Sequence, residues 1–126
     1  MAKILFVYPN GESYPIIPIS ISLMSGILKQ AGHLTELFDI TFLMPRHLDH
    51  EAREKTKSVE HVDVEAYWGT EQKVDMYEEL KKKIVDFKPD IIAFTIVENN
   101  YSYAKKMFAA AKEVGNIPIL VGGLFP

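Results

Sequence analysis

Three continuous apolar runs govern what this chain can fold into. They are Ile4-Leu5-Phe6-Val7-Tyr8, Asp90-Ile91-Ile92-Ala93-Phe94-Thr95-Ile96 and Ile117-Pro118-Ile119-Leu120-Val121. None alternates apolar with polar residues, the pattern of a strand with one wet face. Such runs belong to strands covered on both faces, as in a parallel sheet. Leu34-Thr35-Glu36-Leu37-Phe38-Asp39 is a fourth strand, and its polar content suits an edge.

The segments between the runs carry helical spacing. Ile21, Met24, Ile27, Leu28 and Ala31 form one apolar stripe, with Pro18 and Ser20 as a helix start, Ser20 as N-cap, and Gly32 as the stop. Val74, Tyr77, Leu80, Ile84 and Phe87 form a second, with Lys81-Lys82-Lys83 on the wet side and Lys88-Pro89 at the end. Ala104, Met107, Phe108 and Ala111 form a third, capped by Asn99 or Asn100 and ending near Gly115-Asn116. Alternating strands and helices give an α/β fold, a Rossmann-like or flavodoxin-like doubly wound parallel sheet of order 2-1-3-4. The stretch from about 40 to 72 has no such pattern and reads as a polar insertion, with a short helix around His50 to Lys57.

The chain has 126 residues, enough for one domain, and 14 Lys plus Arg against 17 Asp plus Glu. A weakly acidic balance argues against nucleic acid as the partner. No stretch reaches the roughly 18 apolar residues that span a bilayer, and the start has no signal-peptide pattern, so the expected location is the cytoplasm without a membrane partner. With no cysteine, disulfides, thiolate metal sites and iron–sulfur ligation are excluded within these residues. After the fourth strand come only Gly122-Gly123-Leu124-Phe125-Pro126. A doubly wound sheet continues with a helix and usually a fifth strand, so residues 1–126 read as a fragment of a longer protein, truncated before its last helix and strand. The alternative is a natural four-stranded protein that buries its open sheet edge by dimerising.

In an open parallel sheet the ligand lies beyond the carboxyl ends of the strands, where the strand order reverses. Three loops converge there. The first supplies Pro9, Asn10, Gly11, Glu12, Ser13, Tyr14, Pro18 and Ser20. The second supplies Thr95, Ile96, Val97 and Glu98, with Asn99 and Asn100 beyond. The third supplies Val121, Gly122, Gly123, Leu124 and Phe125, and its glycines allow a ligand close to the backbone. The first loop holds a single glycine, so it lacks both the Gly-x-Gly-x-x-Gly dinucleotide fingerprint and the phosphate-binding Gly-x-x-x-x-Gly-Lys-Ser/Thr loop. Strand three ends in Thr95-Ile96-Val97, without the aspartate of a phosphoacceptor domain. His47, Asp49, His50, His61 and Asp63 fall in the charged insertion and read as a solvated segment, with no metal site assigned. His33 falls on the edge opposite the crevice.

Lys3-Ile4-Leu5-Phe6-Val7-Tyr8-Pro9, the helix through Gly26-Ile27-Leu28-Lys29-Gln30-Ala31-Gly32-His33, Lys88-Pro89-Asp90-Ile91-Ile92-Ala93-Phe94-Thr95, and Ile117 through Gly122-Gly123-Leu124-Phe125-Pro126 follow one another over nearly the whole chain. In order and spacing they resemble the N-terminal cobalamin-binding domain of cobalamin-dependent radical S-adenosylmethionine enzymes. The resemblance implies a Rossmann-like module that holds cobalamin and precedes a radical domain. That domain would carry S-adenosylmethionine and a [4Fe–4S] cluster on a Cys-x-x-x-Cys-x-x-Cys motif, outside these residues. The parent enzyme would be a methyltransferase or cyclase-like, and the fragment alone no catalyst. By the same resemblance the Pro9–Ser20 loop faces the corrin, Thr95–Glu98 lies beside the ring edge or nucleotide tail, and Val121–Phe125 lines the slot for the tail. Many cobalamin domains outside the radical family carry Asp-x-His-x-x-Gly after strand one. Here Pro9-Asn10-Gly11-Glu12-Ser13-Tyr14 has no histidine, so no imidazole from this loop is expected beneath the cobalt. Two other readings stand beside this one: a Rossmann-like domain binding a nucleotide or flavin in another enzyme, and an interaction module without a ligand that uses its open edge.

Overall fold

The computed structural model describes residues 1–10, 18–41, 43, 55–57 and 74–123. Its elements are β1 (Lys3–Tyr8), α1 (Ile19–Gln30), β2 (Leu34–Asp39), α2 (Met76–Phe87), β3 (Ile91–Ile96), a 3-10 turn (Glu98–Asn100), α3 (Tyr101–Val114) and β4 (Ile119–Gly123). The four strands form one all-parallel sheet in the order β2-β1-β3-β4, as the apolar runs and the polar β2 predict. Along one register row Phe38, Val7, Phe94 and Val121 stand side by side.

Alternation along each strand divides the sheet into two faces. Leu5, Val7, Phe38, Ile92, Phe94 and Ile96 meet Leu80 and Ile84 of α2 and Ala104, Met107 and Ala111 of α3 in the main core. The Phe94 and Phe108 rings pack edge to face with centroids 4.6 Å apart. On the opposite face Ile4 and Phe6 pack with Ile21 of α1 in a smaller cluster. β1 is buried from both sides, which its unbroken apolar run requires.

Termination follows local chemistry. After α1, Gly32 takes φ +83°. The His33 N–H bonds the Leu28 carbonyl and the Gly32 N–H that of Lys29, a Schellman closure that glycine makes without strain. Lys88 ends α2 in a left-handed conformation, φ 53°, with Pro89 blocking continuation. The wet lysines of α2 clip it to its neighbours. Lys81 reaches Glu78 and Glu113 of α3, each at 2.7 Å, and Lys83 pairs with Glu36 of β2. Hydrogen bonds to Glu113 and then Glu78 hold the Lys81 ammonium above the usual lysine range.

Several expectations are corrected. The N-cap of α1 is Pro18, with no side-chain cap, and Ser20 lies inside the first turn. Of the expected α1 stripe Ile21 is buried and Leu28 half-buried, while Met24, Ile27 and Ala31 are exposed. β4 begins at Ile119 and runs through both glycines, where the sequence places it from Ile117 to Val121. Asn100 stands at the N-cap of α3 without capping it. The His50–Lys57 helix lies outside the described residues except at 55–57. No helix among the described residues is long and apolar enough to cross a membrane.

Candidate functional site

Parallel strands bring their carboxyl ends to one edge: Tyr8, Asp39, Ile96 and Gly123. Each helix runs back antiparallel to the strands, so the starts of α1, α2 and α3 lie at that same edge. β1 connects to β2 on one side, and β3 then lies on the other. The reversal point is therefore between β1 and β3, where a crevice forms in folds of this topology.

On the β1 side Pro9 is buried and Asn10 half-buried. The Asn10 N–H donates to the Tyr8 carbonyl at 2.9 Å, and the Ile40 N–H donates to the same oxygen at 3.3 Å. This ties the ends of β1 and β2 together. On the β3 side Thr95 is half-buried, Ile96 lies in the core, and Val97 and Glu98 are exposed. Asn100 is 5% exposed. Its Oδ1 accepts from the Val97 N–H at 2.9 Å, and its own N–H donates to the Val97 carbonyl at 3.1 Å. The side chain expected to cap α3 thus turns back and fixes the loop before it. That loop presents Val97 and Glu98 outward on a rigid base.

On the β4 side Val121 is 46% exposed. The two glycines differ. A Cβ on Gly122 would meet nothing within 4 Å, whereas one on Gly123 would overlap the Ile96 backbone. Gly122 leaves open space at the edge, and Gly123 lets β4 close on β3.

The structure thus brings Pro9, Asn10, Thr95, Ile96, Val97, Glu98, Val121, Gly122 and Gly123 to one edge of three adjacent strands. Pro18 and Ser20 join them at the start of α1. Gly11, Glu12, Ser13, Tyr14, Leu124 and Phe125 lie outside the described residues, as do His47, His50 and His61. His33 lies at the opposite edge, where its Nδ1 accepts from the Ala2 N–H at 3.0 Å.

Sequence reasoning missed Asp39 and Thr41. Asp39 closes β2, and its Oδ1 accepts from the Thr41 N–H at 2.9 Å and the Thr41 hydroxyl at 2.5 Å. Asp-x-Thr directly after a strand is a signal for this turn, since aspartate bonds the backbone two residues on. The four described tyrosines also gather at this edge: Tyr8 ends β1, Tyr77 begins α2, and Tyr101 and Tyr103 begin α3. Burial, followed by Tyr103 and Asp75, pushes the Tyr77 phenol above its ordinary range.

No lysine or arginine stands at 8–10, 39–41, 95–103 or 119–123. Among the described residues no group of three or more His, Asp or Glu converges to hold a metal. The described strand ends and their loops therefore carry no cation and two carboxylates, Asp39 and Glu98, with Asp75 added at the start of α2, which suits a ligand bound by shape and neutral hydrogen bonds better than a polyanion held by cations.

No protein-family model matches the sequence, and no curated protein matches it. Among solved structures the fold is similar to that of the radical S-adenosylmethionine methyltransferase TsrM from Kitasatospora setae, determined with tryptophan substrate and an S-adenosylmethionine analogue bound. The likeness covers 98% of this chain with a TM-score of 0.66 at 16% identity, and the chain spans only 19% of that enzyme. At that identity the likeness shows the fold.

Proposed function

We propose that this chain is the cobalamin-binding module of a larger, cytoplasmic radical S-adenosylmethionine enzyme that carries out methyl transfer or a related radical reaction. One observation carries the reading: the described carboxyl ends of β1, β3 and β4 carry no cation, with open space beside Gly122 of β4 and the Asn10 amide held by Thr41 at the end of β1. A broad, flat, amide-fringed ring fits such a rim. The described residues hold no thiol or cation cluster that would claim the space for a different cofactor. The resemblance over nearly the whole chain, and a fold similar to part of a radical methyltransferase, support the same assignment.

Bound there, cobalamin would supply a cobalt centre able to carry a methyl group. Asn10 would hold the ring edge, Thr95, Val97 and Glu98 would line the side of β3, and Val121 and Gly122 would leave room for the nucleotide tail. Gly11, Glu12, Ser13 and Tyr14 would complete the corrin face, and Leu124 and Phe125 the tail slot. The chain's own work is binding and orientation. S-adenosylmethionine and the [4Fe–4S] cluster would belong to the radical domain, the expected partner.

A nucleotide is the second reading, and Asp39 favours it, because an acidic residue ending the second strand is where dinucleotide folds hold a ribose hydroxyl. Against it, Asp39 Oδ1 is committed to Thr41 and the glycine fingerprint is missing. The test is direct. The protein is mixed with hydroxocobalamin, desalted and scanned. A retained corrin chromophore at stoichiometric level supports the proposal. Complete loss of it, with retention of a nucleotide or flavin under the same treatment, refutes it.

A further inference from the structure

Asn100 is 5% exposed, and a buried carboxamide needs partners at both its oxygen and its nitrogen. Its Oδ1 accepts from the Val97 N–H at 2.9 Å. Among the described residues nothing accepts from its Nδ2. The amide cannot turn over to change this, because Nδ2 would then face the Val97 N–H, donor against donor. The Val97 bond therefore fixes which way the amide is set. It leaves a buried NH2 group without an acceptor among the described residues.

The place of that group is the second observation. Val97 is the first residue beyond β3, and Asn100 directly precedes α3, a helix of 14 residues. The amide is thus held at the carboxyl edge, in the loop that exposes Val97 and Glu98. No side chain caps the start of α3, and the positive end of a helix favours an electron-rich atom. A buried donor at such a point calls for an acceptor that the described chain does not supply.

We propose that the Asn100 side-chain amide is a ligand-binding donor: Oδ1 is spent on Val97, which orients the group, and Nδ2 donates to an acceptor oxygen of the ligand. The identity of the ligand rests on the cobalamin reading, and a cobalamin offers such oxygens in its ring carboxamides and in the phosphate of its nucleotide tail. The donor itself does not depend on that reading.

The test uses Asn100→Asp, which keeps the shape and the acceptor for Val97 and removes the NH2 group. Ser102→Asp is the control. Ser102 is exposed in the first turn of α3, so the variant adds the same charge and leaves the amide alone. In titrations with hydroxocobalamin the Kd should rise about tenfold in Asn100→Asp and stay near wild type in Ser102→Asp. A purely structural Asn100 would leave the Kd of Asn100→Asp unchanged, and that result, or an equal rise in both variants, overturns the donor while the cobalamin reading stands. Dicyanocobinamide, which keeps the ring carboxamides and lacks the phosphate, separates the two oxygens: a loss with both ligands assigns the ring, and a loss with hydroxocobalamin alone assigns the tail. The same titrations are run with FMN. A wild type that binds FMN and not hydroxocobalamin, with the same loss in Asn100→Asp alone, ends the cobalamin reading and keeps the donor, whereas a wild type that binds neither overturns both. Should Asn100→Asp not fold, NMR of the wild type carries the test: the Asn100 NH2 protons should become protected from solvent exchange when hydroxocobalamin is added, and unchanged exchange overturns the proposal.

Discussion

The Ile96 carbonyl oxygen occupies the space that a side chain on Gly123 would need: a Cβ there would lie 2.0 Å from it. Gly123 also has φ +124°, a backbone region that L-residues avoid. The last rung of the β3–β4 ladder, Ile96 beside Gly123, therefore exists only with glycine.

Gly123→Ala should destabilise the fold by about 2 kcal/mol or more, through strain and a forced opening of the β4 end. Gly122→Ala, with nothing within 4 Å of its new methyl group, should stay within about 0.5 kcal/mol of wild type. Urea midpoints on the two variants measure the contrast, and equal midpoints would refute it. Gly122→Leu extends the argument to the site. It should keep the wild-type midpoint while reducing retained hydroxocobalamin, because its side chain would enter the space assigned to the ligand.

Asn100 offers a second test. Removing its side chain leaves the Val97 N–H without its acceptor, and an orphaned donor costs about 1–3 kcal/mol. Asn100→Ala should lose stability in that range. Asn100→Asp keeps an acceptor at the same place and adds negative charge at the start of α3, where the helix dipole favours it. It should recover most of the loss in thermal denaturation. An Asn100→Asp variant as unstable as Asn100→Ala would show that the bond to Val97 contributes nothing.

How much of this was legible in the sequence depended on contrast. β1 and β3 were plain because unbroken apolar runs between turn residues have one economical reading. The helix α1 is legible but its inward face is not, because Ile19, Ile21, Leu23, Met24, Ile27 and Leu28 are apolar nearly all round. Periodicity then gives no preferred face, and the crossover from β1 to β2 decided it, leaving Ile27 57% exposed. The α2 start carried a readable signal in Asp75-x-x-Glu78, a helix-entry pattern. Asp75 indeed accepts from the Tyr77 N–H at 2.9 Å. The contact between Asn10 and Thr41 could not be read at all, since nothing local links residues 31 apart until the register of β1 on β2 is known.

Tyr77 links the packing of α2 on α3 to pH. Its phenol is raised above 10.0, chiefly by burial and then by Tyr103 and Asp75. Between the unfolded and folded values the native state holds a proton that the unfolded chain has released. The contribution of Tyr77 to stability is therefore fully present below about pH 10 and is lost as pH rises through the folded value. Tyr77→Phe, which cannot ionise, should lose less stability than wild type between pH 9 and pH 11, as judged by urea midpoints at each pH. A parallel loss in the two proteins would place the alkaline sensitivity elsewhere.

The cobalamin reading makes a spectroscopic prediction that depends on where the imidazoles are. The stretch from Pro9 to Ser20 contains no histidine, and His33 is held at the far edge by its bond to the Ala2 N–H. No described residue at the carboxyl edge offers a nitrogen base to the lower face of a corrin. Reduced to the cobalt(II) state in the loaded protein, the metal should show an EPR spectrum without nitrogen superhyperfine splitting on its high-field lines. A resolved triplet splitting in the wild-type spectrum would mean that a nitrogen does reach the cobalt, and this account of the lower face would then be wrong.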